Sequence, residues 1–373
     1  MKTNYNSTTL ARLAFLLALT VIPLVSFVMP AVAEPITLPK LAGDWQGTLF
    51  IDGGCGLGTK LLSFNLDSTG EGSVSASYHT PGCGDNVETG TIQITALGTD
   101  GNGTAELNFG GTLFGFDIQV SPNAQVFNMV DIIDPANYEE GSAIRQVAPT
   151  ISQLAGAWQA TLFIDGGCGV GTKVVSFRLN STGEGAASAS YHTPGCGDNE
   201  QTGTMRITSL NAGGIGTAQL DFSGTVFKFN IQVSPNAQTF NMVDVVDANN
   251  YDEGLAVRQG SASLTQLAGS WQATLLIDGG CGIGTKLVAF DLNSSGEGRA
   301  VGLYHTPECG DSDQAGTMTI TSLNSDGSGT AQLNFGGSAV FNFVIQVSGN
   351  HQVFNMVDVT DSGNYDEGSA VLL

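Results

Sequence analysis

The sequence predicts an all-β protein made of three tandem eight-stranded antiparallel up-and-down β-barrels. Three observations carry this. Six cysteines fall as three copies of one pair, Cys55/Cys83, Cys168/Cys196 and Cys281/Cys309, at a constant step of 113 residues that Trp45, Trp158 and Trp271 also keep. A fixed period of this kind means one module used three times. Within a module, apolar and polar residues alternate with period two and no helical period is sustained. Clusters of Gly, Asn, Asp, Pro and Ser then cut the chain into short segments, as a meander of hairpins requires.

The chain opens with Lys2 and Arg12, an apolar stretch from Leu13 to Met29 and Ala31-Val32-Ala33. This is the layout of a secretory signal peptide over residues 1–33. Pro23 and Pro30 and the short apolar length argue against a membrane span there. No later segment is apolar for long enough to span, so the mature chain is expected to carry no transmembrane segment. It is expected to be secreted or at the cell surface, or periplasmic in a Gram-negative bacterium.

The remainder divides into repeats at 34–146, 147–259 and 260–373. In the first, the alternation places strand A at Asp44–Asp52, B at Lys60–Leu66, C at Ser73–His79 and D at Thr91–Ala96. Strand E follows at Thr104–Phe109, F at Leu113–Val120, G at Val126–Ile133 and H at Gly141–Gln146. A meander of this kind removes its exposed edges by closing. Phe114, Phe116, Ile118 and Val120 on F, Leu62, Phe64 and Leu66 on B, and Val74, Ala76 and Tyr78 on C form inward faces. The small residues on C leave room for the Phe side chains opposite, which favours a filled core over a hollow one. The third repeat gains one residue near strand F, which reads as a bulge. The segments Val147–Gln153 and Gly260–Gln266 read as semi-flexible tethers between barrels.

Removing the leader leaves ten Lys and Arg against 34 acidic side chains. Nucleic acid is excluded as a partner, because its phosphates need clustered cations. Two cysteines per repeat in an exported chain read as a disulfide. The topology agrees, since the A–B loop with Cys55 and the C–D loop with Cys83 share one rim, and closing that loop stabilises by roughly 3 kcal/mol.

The same rim collects His79, Asp85, Tyr138 and Glu140, repeated as His192, Asp198, Tyr251 and Glu253 and as His305, Asp311, Tyr365 and Glu367, together with Asp52, Lys60 and Asp134. The three sets are expected to form like surface patches that bind a partner. A metal role for His79 with the cysteines, or for Asp85, Asp134 and Glu140, matches no trusted ligand spacing, so neither metal nor cofactor is expected. Catalysis lacks a Gly-x-Ser-x-Gly or another nucleophile beside His79. Asn128-Met-Val-Asp131 recurs as Asn241–Asp244 and Asn355–Asp358. Its alternation turns the Asp131 carboxylate inward, toward Lys60 or Tyr78 as structural partners or toward a ligand at the barrel mouth.

Leu41-Ala-Gly-Asp-Trp45, Leu154-Ala-Gly-Ala-Trp158 and Leu267-Ala-Gly-Ser-Trp271 resemble the Gly-x-Trp start of the calycin barrels, the lipocalins and avidins. The resemblance implies that each Trp closes a barrel floor with a basic side chain from the last strand across its ring. Arg145 and Arg258 stand in that place, and Leu372 replaces them in the third repeat. The function expected is that of an exported, non-enzymatic binding or surface-matrix protein engaging a multivalent extracellular polymer or surface, with self-assembly open. The alternative is a carrier of one small apolar ligand per barrel, and a hydrolytic enzyme is third.

Overall fold

The computed structural model describes residues 34–373 apart from 132, 133, 135, 136, 148, 245, 246, 248, 249, 338, 360 and 362. The expected signal peptide lies outside the described residues. Among those described, no helix is long and apolar enough to cross a membrane.

Each repeat closes into an eight-stranded antiparallel barrel. The first runs β1 (Gly43–Asp52), β2 (Gly58–Leu66), β3 (Glu71–Thr80), β4 (Gly84–Leu97), β5 (Asn102–Phe109), β6 (Thr112–Val120), β7 (Val126–Val130) and β8 (Tyr138–Arg145). The second spans β9 (Gly156–Asp165) to β16 (Tyr251–Arg258), and the third β17 (Gly269–Asp278) to β24 (Tyr365–Leu372). Closure is made by β8 pairing back onto β1, with Trp45 opposite Arg145 and Asp52 opposite Tyr138.

Several strand limits differ from those read in the sequence. β4 begins at Gly84 rather than Thr91, because the β3–β4 hairpin continues to a tip where residues 84–87 are exposed on both faces and show no alternation. β7 stops at Val130, short of Ile133, and the last part of that expected strand lies outside the described residues. β8 starts at Tyr138, three residues before Gly141. The extra residue of the third repeat makes no bulge. The turn between β21 (Ser328–Asn334) and β22 (Val340–Val347) absorbs it, with Phe335 N–H donating to Ala339 O at 2.9 Å, and the strands pair in regular register. The register shifts fall instead between Ile94 and Ala96, Ile207 and Ser209, and Ile320 and Ser322.

Each barrel floor is closed by its tryptophan as expected, and the expected basic side chain across the ring is seen at Trp158. Trp45, Trp158 and Trp271 are fully buried, and each indole N–H donates to the carbonyl of Leu41, Leu154 or Leu267. Leu41 and Leu154 end a short helical turn, α1 (Leu38–Leu41) and its 3-10 counterpart, and Leu267 directly follows the third such turn. Arg258 lies over the Trp158 ring at 5.9 Å and donates to Gln153 O and Ala155 O. Arg145 donates to Lys40 O and Ala42 O, so it ties the plug to the floor. Gly43 is required here, since its φ of +134° is left to glycine and a Cβ would press on the Arg145 guanidinium at 3.2 Å. Above each Trp the core is filled. Trp45 stacks parallel to Phe64 at 6.4 Å and meets Phe127 at 4.9 Å, with Leu62, Ile92, Leu107 and Ile118 closing the gaps.

The barrels are not tethered beads. Pro35–Leu373 is one compact unit in which the three barrels pack around a shared pseudo-threefold axis. The supposed tethers are structured: Leu154 and Leu267 are buried plugs, Gly260 N–H donates to Asp326 O, and Gln259 pairs with Ser348. The junction uses the outward faces of β1, β7, β8 and their equivalents. At the rim end Phe50, Phe163 and Leu276 meet, and burying each such side chain contributes about 2 kcal/mol. At the floor end Val126, Ile144, Leu255, Val257, Val353 and Val371 form a second apolar layer.

Each repeat carries both complementary halves of this junction, and a head-to-tail contact that closes after three copies is a ring. Residues 34–146 produced alone are expected to assemble into trimers in analytical ultracentrifugation, and Phe50→Asp to prevent it. A stable, well-folded monomer of the single repeat would count against the junction as a requirement of the fold.

Candidate functional site

All three expected disulfides are present, Cys55–Cys83, Cys168–Cys196 and Cys281–Cys309, and they sit on the rim of their own barrel. Of the rest of the rim set only Asp85, Asp198 and Asp311 are at the surface. His79 and Tyr138 are buried between barrels, as are His192 and Tyr251, and His305 and Tyr365. The reason is the ring: each histidine bridges its own hairpin to the next repeat. His79 Nδ1 contacts the exposed Asp85 at 2.6 Å, its Nε2 reaches Asp247 O at 2.8 Å, and its ring packs on Tyr251 at 5.0 Å. His192 does the same with Asp198, Asp361 O and Tyr365, and His305 with Asp311, Asp134 O and Tyr138. Burial works against the charge on His192, and the carboxylate of Asp198 with the Asp361 carbonyl more than offsets it and raises the pKa.

Glu140, Glu253 and Glu367 are buried at the centre of the assembly and not on the expected rim surface. They point outward from their barrels, and outward here means the axis, where one carboxylate oxygen from each lies within 4.8 Å of the others. Thr274, Thr48 and Thr161 of the neighbouring barrels each donate to one of them at 2.6 Å. Among the described residues this is the one cluster of His, Cys, Asp or Glu close enough to share an ion; Asp85, Asp134 and Glu140 are not gathered into a site. Burial pushes Glu140 up to about 8, against the Thr274 hydroxyl that lowers it. Burial and then the neighbouring glutamates raise Glu253 and Glu367 well above the ordinary range. Below them lies a polar layer. Asn128 Nδ2 donates to Ser369 O and Asn241 Nδ2 to Ser142 O, while Asn355 meets Leu255 in place of a serine and donates to its carbonyl.

Asp131, Asp244 and Asp358 are buried as expected, but Lys60 turns to another acid. The Asp131 carboxylate receives the Asp134 N–H at 3.1 Å, and its carbonyl accepts from Thr285 of the third repeat. Lys60 pairs with both oxygens of Glu139, at 2.5 and 2.7 Å, inside the barrel. Lys173–Asp252 and Lys286–Asp366 repeat this at 2.7 Å, and all six side chains are buried. Each ammonium also sits over two ring faces, Tyr78 and Phe114 in the first barrel and Tyr304 and Phe341 in the third. Burial opposes the charge on Lys173, while Asp252, Tyr191 and Asp244 outweigh it and raise the pKa.

Above these ion pairs the barrels are open. Cavities of about 350, 320 and 340 Å³ occupy the three mouths at the disulfide rim. The first is lined by Asp52, Tyr78, Phe109, Phe114, Asn137 and Glu139, with Cys55–Cys83 at its edge. The second and third repeat the Asp, Tyr, Phe, Asn and acid positions as Asp165, Tyr191, Phe227, Asn250, Asp252 and as Asp278, Tyr304, Phe341, Asn364, Asp366. Burial raises the pKa of Tyr78, with Glu139 and Glu88 adding to it, and burial and then Asp366 raise that of Tyr304. The phenols therefore remain donors at any physiological pH. Burial also raises the Asp52, Asp165 and Asp278 carboxyls, against one glycine N–H each. The expected filled core is thus correct for the lower barrel and incorrect for its mouth. A lysine was legible on the inward face of strand B, two residues before Leu62. The pairing acid is not legible in the sequence, because a strand H that starts at Gly141 leaves out the inward position of Glu139.

The mouths face one way. On β8, Tyr138, Glu140, Ser142 and Ile144 lie at successive levels of the junction from rim to floor, so the strand runs along the axis. A threefold arrangement built on such strands turns all three rims to one face.

No protein-family model matches the chain, and no curated protein matches it. Among solved structures it is similar to a redesigned beta barrel, at 13% identity over 31% of this chain and 98% of the other, with a TM-score of 0.22. It is also similar to the isotype 1 transferrin binding protein B of serogroup B Neisseria meningitidis, at 9% identity over 91% and 78% of the two chains, TM-score 0.27. A transferrin binding protein B mutant from Haemophilus parasuis aligns at 8% identity over 89% and 76%, TM-score 0.31. Identities and TM-scores this low assign no family and no ligand to this chain.

Two outcomes follow from the buried charges. Lys60→Met leaves Glu139 unpaired in the barrel and is expected to cost about 3–5 kcal/mol in urea unfolding, with most of it regained in the Lys60→Met/Glu139→Leu double variant. The axial glutamates give up their protons near pH 4.5 when unfolded, whereas folded Glu140 gives its proton up only near 8. The folded state then holds more protons across that window, so stability falls as pH rises through it, by about 1.4 kcal/mol per unit for each extra proton held, and levels off above it. Replacing all three with Gln should flatten the profile between pH 5 and 9 and make the variant the more stable form at pH 9. A wild-type melting temperature that rises from pH 5 to 9 would contradict this.

Proposed function

We propose that the protein is an exported binding protein that engages one repetitive, polymer- or surface-borne partner through its three disulfide-rimmed barrel mouths. The observation that carries this reading is the set of three similarly lined cavities, open on one face and held at fixed spacing by the junction. Export is supported by the three disulfides, which persist in oxidising compartments. Three sites at fixed spacing suit a partner that repeats its epitope, because each engaged site raises the effective concentration at the next. Catalysis is disfavoured by the placement of the histidines: both nitrogens of His79 are taken by Asp85 and Asp247 O, and its ring faces the junction instead of the mouth.

Each mouth is a cup of a size that holds a small molecule, although the filled lower core removes any deeper interior site.

Gly54, Gly167 and Gly280 line the mouths, and a Cβ at each meets nothing within 4 Å, so a side chain can be introduced there without a clash at its base. Labelled full-length protein is to be read on an array of immobilised glycans, peptides and lipids, then as variants with one, two and three mouths blocked by Gly→Trp. The expected result is a loss of roughly tenfold or more per blocked mouth on a multivalent ligand. Unchanged affinity with stoichiometry falling from three to two to one identifies a carrier, and binding that survives all three blocks overturns the proposal.

A further inference from the structure

Resting on the reading of the mouths as binding sites, we propose that each mouth takes one sugar unit of a neutral glycan. The argument begins with charge. The Lys–acid pair at the base of each mouth is internally neutral, Lys60 with Glu139, Lys173 with Asp252 and Lys286 with Asp366, at 2.5–2.7 Å and out of water, and the charges left over are acidic: Asp52 and Glu88 in the first mouth, Asp165 in the second and Asp278 in the third. An anionic ligand would meet the acid of that pair and then Asp52 at the entrance, on a chain of net charge −22. A cationic ligand entering over the rings would meet the ammonium that already occupies their faces, 3.9 Å from the Phe341 centroid in the third barrel. An uncharged ligand meets neither opposition.

The lining then separates neutral polar ligands from apolar ones. Tyr304 Oη is buried with no hydrogen-bond partner. Asp278 and Asn364 supply oxygen and amide groups around the same cavity. A purely hydrocarbon ligand would strip water from the Asp and the Asn and leave the Tyr hydroxyl still without a partner, an expensive outcome for polar atoms out of water. A ligand rich in hydroxyls can donate to the Asp, accept from the Tyr and do both with the Asn.

A sugar ring also has an apolar C–H face, and each mouth has a wall for it. Tyr78, Phe109 and Phe114 line the first and pack edge to face at 6.4 and 6.0 Å, while Tyr191 and Phe227 line the second and Tyr304 and Phe341 the third. The cavity volumes lie at the lower end of the range for small-ligand sites, which suits a ring or two. A glycan repeats its unit, and three mouths on one face repeat theirs.

The test uses full-length protein and isothermal titration with four probes: a panel of neutral hexose oligosaccharides, an oligogalacturonate, tetralysine and a long-chain fatty acid. The expected result is binding of a neutral oligosaccharide that changes less than twofold between 50 and 500 mM salt, since no net charge is screened. That binding should fall at least tenfold in the Gly54→Trp/Gly167→Trp/Gly280→Trp variant. Tyr78→Phe/Tyr191→Phe/Tyr304→Phe, which keeps the ring wall and removes the hydroxyl, should also weaken it about tenfold. Binding of a charged or fatty probe that the Trp block abolishes, with no neutral sugar bound, overturns the sugar and leaves the mouths as sites. Binding of any probe that the Trp block leaves intact, or no binding of any probe, overturns the mouths as well.

Discussion

Burial of both faces of the last strand is the constraint on which the rest of the architecture depends. The inward positions of β8, Glu139, Gly141, Ala143 and Arg145, face their own barrel, while Tyr138, Glu140, Ser142 and Ile144 fill the axis. A barrel ordinarily presents such an outer face to water. Here three barrels share theirs, and the chain order sets a direction: Thr48 of the first repeat reaches Glu253 of the second, Thr161 of the second reaches Glu367, and Thr274 of the third returns to Glu140. A tandem repeat with a directional contact can extend without limit or close, and this one closes at three.

This constraint explains which parts of the structure the sequence revealed. The period of 113, the eight strands, the disulfides and the floor tryptophans depend on contacts within one repeat, and their pattern is strong: alternation for the strands, compartment and topology for the cysteines. The junction depends on contacts between repeats and is written in polar residues. Gln46, Thr48, Asn128, Glu140 and Ser142 alternate with apolar partners in the manner of solvent-facing positions, yet all are buried. Hydrogen bonds across the axis satisfy Thr48, Asn128 and Ser142, so the usual sign of an interface, an exposed apolar stripe, is confined to its two ends. Nothing in one repeat read alone distinguishes that face from a wet one.

The same logic separates threefold retention from ligand binding. His79, Tyr138 and Glu140 and their equivalents are kept because each must fit a neighbour that is a copy of itself. The mouths are under no such rule, and they show a constant frame with a variable edge. The Lys–acid pair, the Tyr, the Phe and the Asn recur in all three, while Glu88 becomes Gln201 and Gln314, Asn86 becomes Asn199 and Ser312, and Thr112 becomes Thr225 and Ala339. Residues fixed in all three copies thus include many whose work is assembly, and identity among repeats is a poor guide to a site.

The buried Lys–acid pair inside each barrel has a defined place in this division. Its desolvation is costly, and a hydrophobic pair of similar volume would often serve stability as well or better. It sits at the level where the filled core ends and the mouth begins, with the ammonium against two aromatic faces. There it does two things a leucine could not. It holds the Tyr and Phe rings apart by occupying the space between them, and it keeps the base of the cavity polar while adding no net charge. The floor tryptophan and its plug close the lower barrel, the axis sets the spacing of the three rims, and the ion pair marks the depth of each open mouth.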